Sequence, residues 1–348
     1  MYPFLIGTYT GPGKGKGIYT AMLDSQTGEI IPTLKYATVE NPSFIAVSPT
    51  HNMVYSVMES GSESGVASYN LNEIQSLIFL NSKVKMNGLD PAYIIAAQKH
   101  VITANYSSGD VSVFPIAEDG DLREMTQNVA HKGSSINPLR QSKPHPHMIL
   151  FTPDQKHILV SDLGIDKIMI YSYNESSNQP LSFVKSVDLP KGSGPRHLTF
   201  SYDSSTLFVL GELDGNIHSF DFSNLNLSYL GATSLIYPNR DVKEFNAADI
   251  HISPDGKFLY ASVRANENLI SVFEINNNRS LRPIQNMKTN GMGPRNFAIS
   301  PDGAWLLVAH QNSHDVLVYR RDEATGKLEN TGNFINVSAP VNLTFLPY

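Results

Sequence analysis

A repeat of about fifty residues runs along the whole chain of 348 residues. The clearest copies read PRNFAISPDG at 294–303 and AADIHISPDG at 247–256, and weaker copies keep the same order of anchor, apolar run and turn. Seven copies align, and they begin at residues 42, 91, 146, 195, 247, 294 and 340. A regular period of this length predicts a repeat architecture, in which each copy is one structural unit packed against its neighbours.

The residues within each copy predict four short strands. Apolar runs such as 297–299 are separated by polar turns, in which Pro near the start and Gly near the end favour a tight reversal. Seven copies of four antiparallel strands predict an all-β, seven-bladed β-propeller rather than two stacked sandwiches. The seventh copy stops after one strand at 341–346, and strands at 4–8 and 17–21 supply what it lacks. We therefore expect the N- and C-terminal strands to close the last blade of a single domain, 1–348.

The composition excludes several kinds of site and partner. Lys and Arg number 26 against 32 Asp and Glu, and this net charge of −6 does not favour nucleic acid. Cysteine is absent, which excludes disulfides, cysteine-ligated zinc, iron–sulfur clusters and a cysteine nucleophile. No apolar run approaches 18 residues, and Met1–Gly7 lacks the basic start of a signal peptide. We expect a cytoplasmic protein without membrane contact; no sequence feature indicates an oligomeric state.

Two columns of aligned positions gather ionisable side chains. The innermost strand of each propeller blade lines a central channel, and ligands bind at one mouth of that channel. The residue after the first position of each copy is His147, Arg196 or Arg295 in three copies, and the column ending the next strand contains Glu212 and Arg264. Its other polar members are Tyr9, Glu59, Tyr106 and Gln311. Other copies hold Ala or Val, so the pattern predicts a site built from one residue per blade. The alternative is that each Arg pairs with a carboxylate to tie neighbouring blades together.

The segments around these columns sharpen the prediction. Gly-x-Gly-Pro-Arg occurs at 192–196 and again at 291–295, where glycines let the backbone approach a ligand and Pro fixes the Arg that follows. His145 and His147 lie in a Pro-His-Pro-His segment. In an extended chain they point to opposite sides, and no carboxylate lies at metal-ligand spacing, so no metal site is predicted. The single Trp305 argues against propellers with repeated Trp motifs, including many quinone-dependent dehydrogenases, and no cofactor is expected.

Arginine, histidine and glutamate around one channel mouth predict a small anionic ligand. Guanidinium groups match carboxylate and phosphate oxygens, and they also stabilise a developing oxyanion. A histidine can take a proton from water near neutral pH, and a glutamate can orient it or share the role. This set of groups suits hydrolysis of an activated ester such as a sugar lactone by a positioned water.

These motifs resemble those of the seven-bladed propeller lactonases. The resemblance rests on the Ser-Pro-Asp-Gly blades, the Pro-His-x-His segment, Gly-Thr-Tyr-Thr at 7–10 and the Gly-Pro-Arg loops, and it covers nearly the whole chain. The family includes bacterial 6-phosphogluconolactonases and fungal 3-carboxy-cis,cis-muconate lactonising enzymes. The resemblance implies a metal-independent site at one channel mouth, with the family's functional residues at His147, Arg196, Glu212 and Arg264.

One departure concerns the residues before two of these positions. Family blades commonly have Asn where this chain has Gly211 before Glu212 and Val263 before Arg264. The missing amides would have oriented the two charged groups, so the substrate or the activity can differ from those of the family.

The leading hypothesis is hydrolysis of 6-phosphoglucono-1,5-lactone. His147 would be the general base and Glu212 its orienter or substitute, Arg196 and Arg264 would hold the carbonyl oxygen or a carboxylate, and Arg295 would bind the phosphate. The other predicted substrate-binding residues are Tyr9, Glu59, His145 and Gln311. Two alternatives remain open. One is a lactonase or lactonising enzyme for a non-phosphorylated, muconate-type acid. The other is a non-catalytic propeller that binds an anionic metabolite or a protein.

Overall fold

The computed structural model describes residues 1–72, 77–237 and 245–347. These residues contain 28 β-strands, which form seven four-stranded sheets with antiparallel pairing between neighbouring strands. No α-helix occurs in the described ranges, and a single 3-10 turn covers Gly61–Glu63. The seven copies of the sequence repeat therefore correspond to seven sheets.

Six sheets are each formed by four consecutive strands, and the seventh joins the two ends of the chain. The strands of the first three sheets are β4 Ile45–Val47, β5 Met53–Met58, β6 Gly65–Asn72, β7 Leu77–Lys85; β8 Pro91–Ala96, β9 His100–Asn105, β10 Asp110–Pro115, β11 Gln127–Ala130; and β12 Pro146–Phe151, β13 His157–Asp162, β14 Lys167–Tyr173, β15 Leu181–Asp188. Those of the next three are β16 Pro195–Phe200, β17 Thr206–Gly211, β18 Asn216–Ser223, β19 Asn226–Ser234; β20 Ala247–Ile252, β21 Phe258–Val263, β22 Leu269–Ile275, β23 Leu281–Lys288; and β24 Pro294–Ile299, β25 Trp305–His310, β26 Asp315–Arg321, β27 Leu328–Asn336.

The seventh sheet has the strand order β28-β1-β2-β3. Its strands are β28 Pro340–Phe345, β1 Tyr2–Thr8, β2 Gly17–Leu23 and β3 Ile30–Thr38. Just beyond β28, the backbone N–H of Leu346 donates to the carbonyl of Pro3 at 2.9 Å. The ring of Phe345 also contacts those of Tyr2 and Phe4. The N- and C-terminal strands thus share one sheet, as the incomplete seventh copy predicts.

The chain divides into two compact units. Unit 1 contains Met1–Phe4, Ala21–Pro32 and Arg196–Tyr348, and unit 2 contains Leu5–Thr20 and Thr33–Pro195. The single domain expected over the whole chain stays a prediction.

Apolar side chains pack between consecutive sheets in each unit. In unit 1, Phe208 and Leu210 lie in one core cluster with Leu259 and Phe273 of the next sheet. The second strand of a sheet, such as β21, is buried along its whole length, whereas the fourth strand, such as β19, is largely exposed. Burial of one large apolar side chain contributes about 1.5–3 kcal/mol, so these clusters supply much of the stability of the fold.

The predicted Pro-Asp-Gly turns are built by side-chain capping. In the turn between β24 and β25, the hydroxyl of Ser300 donates to Asp302 at 2.5 Å, and the N–H of Ala304 donates to the same carboxylate oxygen at 3.1 Å. Gly303 has a φ of +76°, a conformation that glycine adopts without strain. The turn sets the spacing between the first and second strands of this sheet.

Candidate active site

Several positions of the first column lie at β-bulges. The register between the first and second strands shifts by one residue at Ala92, His147 and Arg295. In the sheet of β20 the register moves from Ala247 to Ile250, so Ala248 and Asp249 lie in a wider irregularity. A bulge redirects side chains and is frequent next to binding sites. The bulges explain why this position carries different side chains without disturbing the strands.

Unit 1 brings three of the predicted site residues into contact. Oε2 of Glu212 lies 2.9 Å from Nε of Arg196 and 3.3 Å from Nη2 of Arg264. Arg196 and Glu212 are almost fully buried, whereas 13% of the Arg264 side chain is exposed. Arg264 also donates to the carbonyls of Asn246 and Ala247, at 3.3 and 3.2 Å. One carboxylate therefore holds two guanidinium groups, of which Arg264 has more access to solvent.

The opposite side of the Arg196 guanidinium contacts a second set of residues. Nη1 of Arg196 donates to the carbonyl of Ala248 and lies 3.1 Å from Nε2 of His197. Nδ1 of His197 lies 2.7 Å from Oδ1 of Asp249. These side chains are buried, so a continuous polar chain runs from Glu212 through Arg196 and His197 to Asp249.

The pKa values of these hydrogen-bonded side chains follow from burial and neighbouring charge. Burial lowers the pKa of Arg196 to about 9 and the charge of Arg264 acts in the same direction, while Glu212 opposes them. Burial also lowers the pKa of His197 to about 4, and the positive charge of Arg196 adds to this effect. At neutral pH Arg196 is therefore a cation and His197 is a neutral ring.

Asp249 is the end point of several hydrogen bonds. Its carboxylate lies 3.0 Å from Nε2 of His251 and accepts from Nδ2 of Asn296 at 2.5 Å and from the N–H of Phe297 at 3.2 Å. Burial alone would raise the pKa of Asp249, but the charge of His251 and the hydrogen bonds from His197 and His251 hold that pKa far below its usual value. Asp249 is thus a buried carboxylate anion with fixed orientation.

Two other predicted residues of unit 1 lie in or beside the repeated glycine-rich loop. Arg295 is partly buried, and its charge contributes to the lowered pKa of Arg196, so the two guanidinium groups influence each other. Gln311 is partly exposed, and its backbone N–H donates to the carbonyl of Gly293 at 2.9 Å. Arg295 therefore adds positive charge to the cluster of Arg196 and Arg264.

Unit 2 contains the histidine pair. The His145 ring stacks on Tyr106, with centroids 4.3 Å apart, and its Nδ1 donates to the Tyr106 carbonyl at 2.8 Å. The backbone N–H of His145 donates to Asp162 at 2.7 Å, and the edge of the buried His147 contacts Tyr106. Burial lowers the pKa of His145, so the neutral ring carries its proton on Nδ1 and presents Nε2 as an acceptor.

Tyr9 and Glu59 also meet within unit 2. The Tyr9 hydroxyl donates to the Glu59 carboxylate, at 3.0 Å from Oε2. Asn41 fixes the backbone beside them, because its side chain donates to the Glu59 carbonyl at 2.8 Å and accepts from the N–H of Thr10 at 2.7 Å. These two predicted substrate-binding residues thus form one hydrogen-bonded pair.

The sequence interpretation missed His197, Asp249 and Asn296. Each directly follows a position of the first column, and Asn342 is equivalent to them in the next copy. Four consecutive copies carry a polar residue here, whereas the first three carry Phe44, Tyr93 and Met148. This third column of polar residues was the signal that could have revealed them.

Within residues 1–72, 77–237 and 245–347, no cluster of three His, Asp or Glu is arranged to hold a metal ion.

A model of the family described as lactonase, 7-bladed β-propeller, matches residues 3–345. The chain belongs to this lactonase family. It is 32% identical to a 6-phosphogluconolactonase of Formosa agariphila, with 99% of each chain covered. It is 30% identical to a 6-phosphogluconolactonase of Bacillus subtilis, with 98% of this chain and 97% of the relative covered.

Solved structures of this lactonase family resemble the chain along nearly its whole length. The periplasmic gluconolactonase of Pseudomonas aeruginosa is 31% identical, with a TM-score of 0.94 and 99% of both chains covered. A Bacteroides fragilis protein is 35% identical, with a TM-score of 0.94, and the match covers 99% of this chain and 98% of that one. The predicted family and the predicted seven-bladed propeller fold are therefore confirmed.

Proposed function

We propose that the chain is a lactonase that hydrolyses 6-phosphoglucono-1,5-lactone to 6-phosphogluconate. The observation that carries this proposal is the buried Glu212 carboxylate shared by Arg196 and Arg264, in a chain that belongs to a lactonase family. Two relatives named 6-phosphogluconolactonase, matched over nearly their full length, support the choice of a phosphorylated sugar lactone as substrate.

The charges of unit 1 suit the transition state of this reaction. Water attacks the lactone carbonyl, negative charge grows on the carbonyl oxygen, and the ring C–O bond then breaks to give an acid and a hydroxyl group. Fixed guanidinium donors stabilise such an oxyanion more than they stabilise the neutral carbonyl. We assign this role to Arg264, with a supporting charge from the more buried Arg196. We assign the binding of the phosphate to the partly exposed Arg295.

The attacking water must lose a proton to a general base. His147 is the predicted base and Glu212 the predicted orienter or substitute. Glu212 is engaged by two guanidinium groups, and this pairing favours a carboxylate that orients charges over one that takes up a proton. The binding of substrate by His145, Tyr9, Glu59 and Gln311 stays a prediction from the sequence.

The test is hydrolysis of the lactone against its spontaneous rate, followed through an NADP-dependent 6-phosphogluconate dehydrogenase. The wild-type chain should accelerate hydrolysis in proportion to its concentration. Arg264→Ala should lower kcat/KM at least tenfold, a loss of about 1.4 kcal/mol of transition-state stabilisation. Arg282→Ala is the matched control, because this exposed arginine pairs with Glu274 outside the cluster and its loss should leave the rate unchanged. Unchanged turnover in both Arg196→Ala and Arg264→Ala would contradict the proposed site.

A second candidate substrate is the non-phosphorylated glucono-1,5-lactone, which the similarity to a periplasmic gluconolactonase favours. The same assays on both lactones separate the two. If the phosphorylated lactone is the substrate, Arg295→Ala should raise its KM and leave the hydrolysis of glucono-1,5-lactone unchanged. An equal effect on both lactones would argue against phosphate binding by Arg295.

None of the described helical segments is long and apolar enough to cross a membrane, and the cytoplasmic location stays a prediction.

A further inference from the structure

We propose that His197 and Asp249 are positioning residues that fix the orientation of the Arg196 guanidinium for catalysis. The inference rests on the proposed lactonase function and extends the site to a third column of the repeat. It follows from hydrogen-bond chemistry in unit 1, where the contacts allow only one assignment of protons.

The tautomer of His197 is determined by its two neighbours. Every nitrogen of a guanidinium is a donor, so Nε2 of His197, 3.1 Å from Nη1 of Arg196, must be the unprotonated acceptor. The ring proton then lies on Nδ1 and is donated to Asp249 at 2.7 Å. Asp249 therefore selects the one neutral form of His197 that can accept from Arg196.

Asp249 can select that form because its own carboxylate cannot turn. Donors reach both of its oxygens: the N–H of Ile250 at 3.0 Å joins His197 on Oδ1, while His251, Asn296 and Phe297 lie on Oδ2. The amide of Asn296 is fixed in turn, because its oxygen accepts from the N–H of Leu343 at 2.6 Å. The bulge between Ala247 and Ile250 gives Asp249 this position.

The arrangement holds the guanidinium along two edges. Nε of Arg196 faces Glu212 at 2.9 Å, and Nη1 faces His197 and the Ala248 carbonyl. A planar group held along two edges has one fixed orientation. Replacing buried charges by apolar residues of similar volume is often neutral or stabilising, so stability alone gives no reason for so many ionisable groups here. Orientation of Arg196 gives one.

A double-mutant cycle tests whether Asp249 acts through Arg196. Asp249→Asn keeps the volume but turns one oxygen into a donor, which must face another donor among those that surround it. We expect kcat/KM to fall at least tenfold in the wild-type background and less than twofold in the Arg196→Ala background. The control is Asp315→Asn, since Asp315 likewise accepts from a buried histidine, His310, at 2.8 Å without contacting Arg196. Its effect should be equal in both backgrounds. Equal losses from Asp249→Asn in both backgrounds would overturn the inference.

A spectroscopic measurement tests the proton assignment of His197. It needs neither an activity assay nor a variant of Asp249. The nitrogen-15 shifts of the His197 ring, assigned by their loss in His197→Gln, should report a proton on Nδ1 and none on Nε2 in the wild-type protein. In Arg196→Ala the Nε2 shift should move toward that of an unbonded acceptor. A proton on Nε2, or no response to Arg196→Ala, would overturn the inference. A wild-type chain without lactonase activity would instead contradict the proposed function, and these shifts would still decide whether His197 accepts a hydrogen bond from Arg196.

Discussion

Arg196 keeps its charge in a place with almost no access to water because negative groups and acceptors surround it. Glu212 faces one edge at 2.9 Å, while the Ala248 carbonyl and the neutral His197 accept from the other. Removal of one partner of such a buried pair is costly, about 3–5 kcal/mol, because the remaining charge is left uncompensated. Variants of Arg196 and Glu212 should therefore be compared for both stability and activity, whereas the more exposed Arg264 gives the cleaner test of catalysis.

The pKa of His197 leads to a prediction about the pH dependence of stability. Unfolded His197 takes up a proton as the pH falls through its usual pKa of 6.5, but the folded residue does so only near 4. Since the unfolded state binds more protons between these values, the free energy of unfolding should decrease as the pH decreases. Relative to His197→Gln, the wild type should lose about 2 kcal/mol between about pH 7 and pH 5.

Urea unfolding of both proteins at these two pH values measures this difference. Titratable groups that do not contact His197 largely cancel in the comparison. A wild-type advantage that stays constant across the range would mean that His197 titrates as it does in the unfolded chain.

Part of the site could be predicted at the scale of single residues. The one-residue-per-blade columns include Arg196, Glu212 and Arg264, which the structure brings together. The alternative interpretation, that arginines pair with carboxylates to tie neighbouring blades together, describes the contact of Arg264 with Glu212, whereas Arg196 and Glu212 belong to the same sheet. The hydrogen bonds of His197 and Asp249 could not be predicted, because they depend on a bulge whose register the sequence does not reveal.

At the scale of elements, the turn between β26 and β27 docks one sheet on the sheet before it. The Thr-Gly turn between β26 and β27 is capped by Asp322, whose carboxylate accepts from the N–H of Thr325 at 2.8 Å. The carbonyl of Gly326 accepts from the hydroxyl of Tyr260 in the preceding sheet at 2.8 Å. A β-carbon on Gly326 would collide with the ring of Phe258. Sequence signals predict the turn, whereas its contact with the preceding sheet is a tertiary feature.

This contact predicts a large difference between Gly326, in the turn before β27, and Gly332, within β27. Gly326 and Gly332 both have positive φ, +72° and +81°, but a β-carbon on Gly332 would meet nothing within 4 Å. Gly332→Ala should cost only the backbone strain, about 1 kcal/mol. Gly326→Ala should cost about 2–4 kcal/mol, because a clash with a packed ring adds to that strain. Urea unfolding measures both, and equal losses would show that the turn moves away from Phe258 without cost.

At the scale of the whole molecule, the period of the sequence determines the fold class more strongly than any single motif. Each copy has too few residues to bury its own apolar faces, and the core clusters accordingly combine residues of consecutive sheets. The number of copies and the incomplete seventh one predicted the sheet that joins both ends of the chain. The boundaries of the two compact units could not be predicted, because three of the four lie within β1, β2 and β3 rather than between repeats.

Those boundaries lead to a prediction about cooperativity. The chain passes from one unit to the other inside four strands, so neither unit contains the whole of β1, β2, β3 or β16. We therefore expect the chain to unfold in a single transition, as one domain over 1–348. The single Trp305 reports on unit 1, where its indole N–H donates to the Ser25 carbonyl at 3.1 Å. Far-UV circular dichroism reports on all seven sheets.

The urea transitions followed by the two probes should coincide in midpoint and slope. Trp305→Phe provides the control for tyrosine emission and should abolish the fluorescence transition while leaving the dichroism transition in place. A fluorescence midpoint that differs from the dichroism midpoint would show that unit 1 unfolds separately from unit 2. The arginine cluster of unit 1 would then lose its structure at a different urea concentration from the histidine pair of unit 2.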